Sequence, residues 1–191
     1  PHHVPLICEN PRLFADACDD TFGLLPLFEF PKDISNSHIT FNLNKENENM
    51  NVNSLSFWFF FREFPASSQM IVTFHSLSFF ATGDDIYVND QFVSDYRLNR
   101  WYHVILTVTD KNKAQVYFDG VLKNQITATI SQVVTFGASQ ANAALWFIGG
   151  AIRLFPTVLK EDAIKGIFNR GVSDTITHGT IAITPSDYVD L

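Results

Sequence analysis

One stretch of the chain, residues 99–125, constrains the fold more than any other. Between residues 101 and 109 the apolar side chains alternate, which is the period of an extended strand and not of a helix. β-Branched residues crowd the same segment and also disfavour a helix. The predicted strand carries Tyr102, Val104, Leu106 and Val108 on one face, and Trp101, His103, Ile105 and Thr107 on the other.

Two turns divide the remainder of this stretch. Residues 110–113 are polar and turn-prone, and residues 114–118 return to strand alternation. Asp119 and Gly120 then supply the two positive-φ positions of a type I′ hairpin, and the return strand begins at Val121. Three antiparallel strands with apolar faces must pack on a second layer, so the sequence predicts part of a layered sheet.

The order of these motifs resembles the laminin-G-like and pentraxin-like branch of the concanavalin A-like lectin/glucanase superfamily. Residues 100–104 and 117–122 match its Trp, His-Val and aromatic-x-Asp-Gly core, and the resemblance extends over roughly residues 55–169. It implies an all-β jelly-roll sandwich of two antiparallel sheets, with one short helix near the C-terminus. It also implies that four residues are architectural, namely Trp101, His103, Asp119 and Gly120. The other matching segments are residues 54–59, the glycine-containing strand pair at 145–155, and the helical residues 159–164 and 167–168.

The rest of the chain contains no convincing domain boundary. Residues 1–22 lack periodicity and are expected to form an N-terminal coil or cap, while residues 23–191 are expected to form one laminin-G-like domain. Pro156 and Gly171 bracket the predicted helix, and Gly149-Gly150 is predicted as a turn or bulge between strands. Residues 44–53 are predicted as a polar loop. Further predicted strands are 24–30, 37–43, 70–74, 77–81, 86–93 with a turn at Asn89-Asp90, and 180–183, which closes the fold against an N-terminal strand.

Composition limits the kinds of partner. With 46% hydrophobic residues, 14% aromatic residues and 19 phenylalanines, the chain is not disordered, and its core is predicted to be filled by aromatic rings. The net charge of −7 argues against binding to nucleic acid or to anionic membranes. No apolar run approaches the roughly 20 residues of a membrane-spanning helix. The sequence therefore favours neither a nucleic-acid partner nor membrane insertion.

The compartment is less constrained. A disulfide between Cys8 and Cys18 would close a small loop and would indicate an extracellular or cell-surface location. The alternative is two free thiols in a cytosolic protein, because two cysteines do not define a framework. The chain begins at Pro1, so we expect a processed product or a fragment of a larger multidomain protein.

Catalysis is not expected. Glucanases of the superfamily that the chain resembles carry a Glu-x-Asp-x-x-Glu strand, which sets two carboxylates about 5 Å apart for retaining hydrolysis. The sequence lacks this motif, a nucleophile elbow and a phosphate-binding loop. The prediction is a protein that is not an enzyme.

Calcium is the cofactor that the resemblance brings into consideration. Laminin-G-like and pentraxin-like modules bind it with loop carboxylates and backbone carbonyls at one rim. The best candidate ligands are Asp84 and Asp85, with Asn142 as a third. The alternative is an ordinary acidic turn, and the dense acidic cluster of a pentraxin double-calcium site is missing.

Trp58 and Phe60 are the candidate ligand-binding aromatics. They share one face of a strand whose other face is also apolar, so the strand is either covered on both sides or exposes a binding platform. The preferred function is non-catalytic recognition or adhesion, in which the module binds glycan or protein through rim loops or the curved sheet face. The alternatives are a structural docking domain with no small ligand and, third, a glycan-processing enzyme.

Overall fold

The computed structural model describes residues 24–25, 27–30, 38–45, 48–49, 51–137, 147–171, 180–182 and 187–190. The predicted cap at residues 1–22, with Cys8 and Cys18, lies outside the described residues, and so does Asn142. The elements in chain order are β1 (Leu24–Leu25), β2 (Leu27–Phe30), β3 (His38–Asn42), β4 (Asn44–Lys45), β5 (Glu48–Asn49), β6 (Ser54–Phe61), β7 (Gln69–Phe74), β8 (Leu77–Thr82), β9 (Asp85–Val88), β10 (Gln91–Asp95), β11 (Tyr102–Val108), β12 (Lys113–Phe118), β13 (Val121–Thr127), β14 (Val134–Gly137), β15 (Phe147–Phe155), α1 (Glu161–Arg170), β16 (Thr180–Ala182) and β17 (Asp187–Asp190).

Two sheets contain most of the described strands. The larger sheet has eight strands within the described residues, in the order β13-β12-β11-β6-β15-β2-β16, with β1 also paired to β15. The second sheet has seven described strands, in the order β10-β9-β8-β7-β14-β3-β17. Pairing is antiparallel except at one edge of each sheet, where β16 pairs with β2 and β17 with β3 in parallel. The two-sheet architecture is therefore as predicted, and β16 confirms the expected closing strand.

Aromatic rings join the two sheets. Phe57 on β6 contacts Phe136 on β14 edge-to-face at 5.1 Å between ring centroids, and Phe79 on β8 at 5.9 Å. Edge-to-face contacts of this kind add stability beyond the area that they bury. The core is filled by rings, as predicted. Its largest fully buried side chains include Phe57, Phe59, Phe61, Phe74, Phe79 and Phe136.

The helix covers the outer face of the larger sheet. Ile164 of α1 is buried with Ile105 of β11 and Tyr117 of β12, and Leu159 and Ile167 pack against them. Because the core lies on one face and α1 on the other, β11 is buried at all seven positions. This double burial explains why the strand is apolar or small on both of its faces.

A serine on β6, Ser54, bonds to the segment that leads into the helix. The Ser54 hydroxyl donates to the Thr157 carbonyl at 2.7 Å and accepts from the Leu159 N–H at 3.0 Å. A larger apolar residue in place of Ser54 would remove both bonds and leave these two backbone groups without that partner. The hydroxyl therefore ties the start of the helical region to the sheet.

The predicted turns are present at the expected residues. Asp119 and Gly120 have φ values of 49° and 79°, and Phe118 pairs with Val121 across them. This is the two-residue hairpin with two left-handed positions that the Asp-Gly pair predicts. A second two-residue turn lies at Asn89-Asp90, also as predicted, with Asn89 at φ 52°.

Three local predictions need correction. Residues 147–155 are one strand, β15, and not a strand pair, because the sheet register shifts between Gly150 and Arg153 without the chain reversing. The bulge therefore lies directly after the two glycines, at residues 151–152. The predicted polar loop at residues 44–53 contains a short hairpin, β4–β5. The sheets are also not purely antiparallel, because their C-terminal strands join at the edges in parallel.

Gly120 provides a test of the helix packing. Its φ is +79°, and a Cβ at this position would lie 3.0 Å from the Phe168 ring of α1. We expect Gly120→Ala to lower the free energy of unfolding by about 2–3 kcal/mol, since backbone strain and a steric clash add. Urea denaturation monitored by tryptophan fluorescence measures this change.

Two other glycines serve as matched controls for that variant. Gly83 has a φ of +57° with nothing within 4 Å, so Gly83→Ala should cost only about 1 kcal/mol of backbone strain. Gly166 lies within α1 with open space around it, so Gly166→Ala should stabilise by about 0.5–1 kcal/mol. Equal losses for Gly120→Ala and Gly83→Ala would show that Phe168 does not pack tightly on the hairpin tip.

Candidate functional site

A cleft of about 380 Å³ opens at the rim where two connecting segments face each other. One wall is the end of β10 and the segment that leads into β11, and the other is the β12–β13 hairpin. Its volume falls in the range of small-ligand sites, which is about 300–1,000 Å³. The lining residues are Ser94, Asp95, Tyr96, Arg97, Arg100, Tyr102, Phe118, Asp119, Val121 and Lys123.

Two buried tyrosines fix the first wall. The Tyr96 hydroxyl donates to the Gly83 carbonyl, and the Tyr96 N–H donates to the Asp84 carbonyl at 3.0 Å. The Tyr102 hydroxyl accepts the Arg97 N–H at 2.7 Å. Burial, reinforced by the nearby Asp84 and Asp85 carboxylates, raises the pKa of Tyr96 above its ordinary value. Both phenol groups are therefore part of the framework of the cleft.

Arg100 bridges the two walls. Its guanidinium carbon lies 4.7 Å from the centroid of the Tyr102 ring, within cation–π distance. Its Nη2 lies 3.4 Å from Oδ2 of Asp119 on the opposite hairpin. Because these groups come from different segments, Arg100 fixes the width of the cleft at this point.

Asp119 is itself held by the sheet. Its Oδ1 accepts the His103 N–H at 2.8 Å, and its own N–H donates to the His103 carbonyl at 2.9 Å. Burial raises the pKa of this carboxyl group, while the hydrogen bond from His103 and the nearby Arg100 and Lys123 oppose that rise. The carboxylate thus closes the hairpin tip onto β11 and orients Arg100.

Arg97 and Lys123 are exposed cations of the cleft that differ from Arg100 in their lack of an ion pair with a described carboxylate. Within the part of the chain that the structure describes, neither side chain forms an ion pair with a carboxylate. Counting charges, the lining has three cations (Arg97, Arg100 and Lys123) against two carboxylates (Asp95 and Asp119), so its formal charge is +1. The whole chain carries −7, which makes this rim locally unlike the rest of the surface.

His103 supports the cleft from behind. The ring is buried, its Nε2 lies 2.9 Å from the Ser56 hydroxyl, and it packs against both Trp58 and Phe168, with ring centroids at 4.7 and 5.9 Å. Burial, and secondarily the nearby Arg153 cation, lowers the pKa of His103 to about 3. The imidazole is therefore neutral, and it lies buried under α1.

His75 is a second buried structural histidine. Its Nδ1 accepts the N–H groups of Ser131 and Gln132 at 3.1 and 3.0 Å, so Nε2 carries the proton and donates to the Val52 carbonyl at 2.7 Å. Burial lowers its pKa. All of its ring nitrogens are used by backbone groups, which leaves it unsuited to metal binding.

The predicted calcium ligands lie next to the cleft but not in it. Gly83 and Asp84 form the two-residue turn between β8 and β9, and Asp85 begins β9. The carbonyls of Gly83 and Asp84 already accept hydrogen bonds from Tyr96. Among the described residues, no group of three His, Cys, Asp or Glu side chains is placed to hold a metal ion. The calcium site, which includes Asn142, stays a prediction.

Trp58 does not form an open binding platform. It is 7% exposed, and the Phe168 ring of α1 stacks on it at 5.9 Å, so the helix occupies the face that a sugar would need. Phe60 is half-buried and contacts Trp101 at 5.2 Å. Of the two possibilities raised by the sequence, the strand covered on both sides is the one observed at Trp58.

The sequence reading missed the cleft. The motifs recognised in the sequence include Arg100, Tyr102 and Asp119. They do not include Arg97 or Lys123. The usable signal was the predicted pairing of β11 with β12, which places the residues before β11 beside the Asp119-Gly120 tip. The presence of basic residues both before β11 and after the Asp119-Gly120 turn would have predicted a basic rim at this place.

Solved structures are similar to this chain at the level of fold. The receptor-binding domain of botulinum neurotoxin D matches with a TM-score of 0.59 and 16% identity, over 76% of this chain and 44% of that one. A serotype D ligand-binding domain in complex with N-acetylneuraminic acid matches at 0.58 and 15%, over 76% and 42%. The binding domain of botulinum neurotoxin DC in complex with rat synaptotagmin II matches at 0.53 and 17%, over 75% and 42%.

These likenesses show the fold alone. The chain spans less than half the length of each of those structures, and the β-sandwich class is confirmed. No family model and no curated protein matches the chain. In the described residues, no helix is long and apolar enough to cross a membrane.

The lowered pKa of His103 predicts a pH dependence of stability. The folded state holds the proton with a pKa of about 3 and the unfolded state with one near 6.5. Below pH 6.5 the unfolded state therefore binds more protons, and stability falls as pH drops from 6.5 towards 3. In His103→Gln, about 1–2 kcal/mol of the loss between pH 6.5 and 4.5 should disappear.

Denaturation midpoints of the wild type and the variant across this pH range measure the difference in slope. The direct control is the NMR resonance of the proton on Cε1 of His103, whose chemical shift should not change between pH 8 and 5. A ring that titrates near 6.5 in the folded protein would contradict the buried, neutral assignment.

Proposed function

We propose that this chain is a non-catalytic recognition module that binds a glycan or protein ligand in the rim cleft. The observation that carries the proposal is the cleft itself, which combines a small-ligand volume, exposed cations and a fixed aromatic wall. Sites of this kind pair apolar contact area with a few oriented polar groups. The cleft is held by a rigid sheet, so it is formed before a ligand arrives.

The similar solved structures support this proposal by analogy of fold. One binds N-acetylneuraminic acid and another binds synaptotagmin II, which are glycan and protein ligands respectively. We extend the proposal to a laminin-G-like module of a larger extracellular or cell-surface protein. The Cys8–Cys18 disulfide and the calcium ligands Asp84, Asp85 and Asn142 are further parts of this proposal.

The chemistry of the cleft supports a binding role over hydrolysis. Retaining hydrolysis needs a nucleophilic carboxylate and a second, proton-donating carboxyl group about 5 Å away. Asp119 is occupied by the His103 N–H and by Arg100, so it is a structural group. Asp95, the other lining carboxylate, is exposed at the end of β10, and its cross-strand neighbour Asp85 on β9 does not line the cleft.

The docking alternative expects a phenylalanine-rich surface. The described phenylalanines instead fill the core, and the strongly exposed ones among them are Phe64 and Phe92, at 46% and 54%. Scattered apolar residues of this kind are ordinary on protein surfaces. The burial pattern therefore favours the recognition module over a domain that docks through aromatic side chains.

A bulky residue at the cleft tests the proposal. Val121 lines the cleft and is 55% exposed, so Val121→Trp should fill it without disturbing the core. Binding to an array of neutral and acidic glycans, or to cultured mammalian cells, should fall by about tenfold or more, since the ligand loses its site. Periodate or protease treatment of the cells then shows whether the ligand is glycan or protein.

The matched control is Val133→Trp. Val133 is 39% exposed and does not line the cleft, so the same substitution there should leave binding unchanged. If Val121→Trp and Val133→Trp bind the ligand equally well, the ligand does not bind in the cleft. A wild-type chain that binds no glycan, cell surface or protein would contradict the proposed function.

A further inference from the structure

The charge arrangement of the cleft narrows the chemistry of its ligand, and this step rests on the proposed function. Arg97 lies on the wall that leads into β11, and Lys123 lies on β13 across the opening. Both are exposed and form no ion pair with a described carboxylate, whereas Arg100 is paired with Asp119. An anion held between the two walls would be attracted by both cations.

We propose that the cleft binds a sugar residue that carries a single carboxylate, held by Arg97 and Lys123 from opposite walls. An arginine guanidinium can hold a carboxylate with two parallel hydrogen bonds, and a lysine ammonium adds a compact charge. Arg100 is fixed by Tyr102 and Asp119 and uses one of its terminal nitrogens for Asp119. Its remaining N–H groups are further donors on the same wall.

The acidic residues of the cleft argue for one negative charge and not many. Asp95 and Asp119 leave a formal charge of +1 in the lining, which one carboxylate neutralises. A densely sulfated chain would bring additional charges against these carboxylates and against a protein of net charge −7. Such polyanions are instead attracted by extended basic surfaces. The site therefore selects a monoacid.

The shape of the cleft favours a sugar over a peptide. A peptide bound by strand addition needs a continuous free edge, but one wall of the cleft is the non-strand segment between β10 and β11. The lining offers Ser94 and Asp95 as partners for sugar hydroxyls, and the exposed Val121 as an apolar contact. Hydroxyl-binding groups around one apolar side chain and two cations match the surface of a carboxylated sugar.

Titration with defined sugars tests this inference in the folded chain. We expect N-acetylneuraminic acid or glucuronic acid to bind, as followed by shifts in amide NMR spectra. The methyl esters of these acids should bind at least about tenfold more weakly, because esterification removes the charge. Arg97→Gln and Lys123→Gln should each weaken binding of the acid about fivefold or more, and the double variant further.

Lys111→Gln is the matched control. Lys111 is exposed in the turn between β11 and β12, at the opposite end of that hairpin pair from Asp119, and it should leave the affinity unchanged. Folding is intact if the amide spectra of the two single variants, the double variant and the Lys111→Gln control overlay on the wild-type spectrum away from the substituted residues. Any loss of affinity is then due to the removed charge and not to unfolding of the variant.

Four outcomes would overturn the inference. Esters that bind as well as the acids exclude the carboxylate, and a double variant with unchanged affinity excludes Arg97 and Lys123. An acetylated aspartyl peptide that binds as tightly as the sugars makes a peptide the ligand, and a heparin oligosaccharide that binds more tightly excludes selection for one charge.

A fifth outcome separates this inference from the proposed function. If neither acid binds, but a neutral glycan or a protein binds and is blocked by Val121→Trp, the recognition module stands and the monoacid assignment fails. If the acids do not bind and no Val121→Trp-sensitive ligand is found, both fail.

Discussion

The packing of Phe168 onto the outer face of the larger sheet is the contact on which the rest of the structure depends. This one ring contacts Trp58 and His103, and it lies so close to Gly120 that a Cβ there would approach to 3.0 Å. One residue of α1 therefore contacts β6, β11 and the tip of the β12–β13 hairpin. Without the helix, their apolar outer faces would be open to water.

The same contact reaches the cleft through two short steps. The sheet holds His103, whose backbone bonds to Asp119 in both directions, and Asp119 in turn orients Arg100. Each step is a hydrogen bond or ion pair between groups that are at least half-buried on one side. The side chains held in this way, Asp119 and Arg100, are ordered before a ligand binds and therefore lose little entropy on binding.

Much of the architecture followed from local pattern in the sequence. The Asp119-Gly120 pair requires two positive-φ residues, and the alternation around it sets strand direction, so the three-strand unit was predictable from physics. The choice between a turn and a bulge in β15, and the parallel pairing of the edge strands, could not be predicted, since both depend on which strands become neighbours. The burial of Trp58 was open for the same reason: the sequence shows that both faces are apolar, but not which element covers them.

The cleft was hidden from the sequence because its residues matter by position and not by type. Arg97 and Lys123 are ordinary surface residues until β11, β12 and β13 bring them to one rim. Inside the domain the opposite holds: buried His75 and His103 have lowered pKa values and are neutral, so the interior carries little titratable charge near neutral pH. Charge placed at the rim can then change without disturbing the core. A scaffold with neutral buried histidines and a charged edge is suited to recognition, because ligand specificity depends on a few exposed side chains that contribute little to stability.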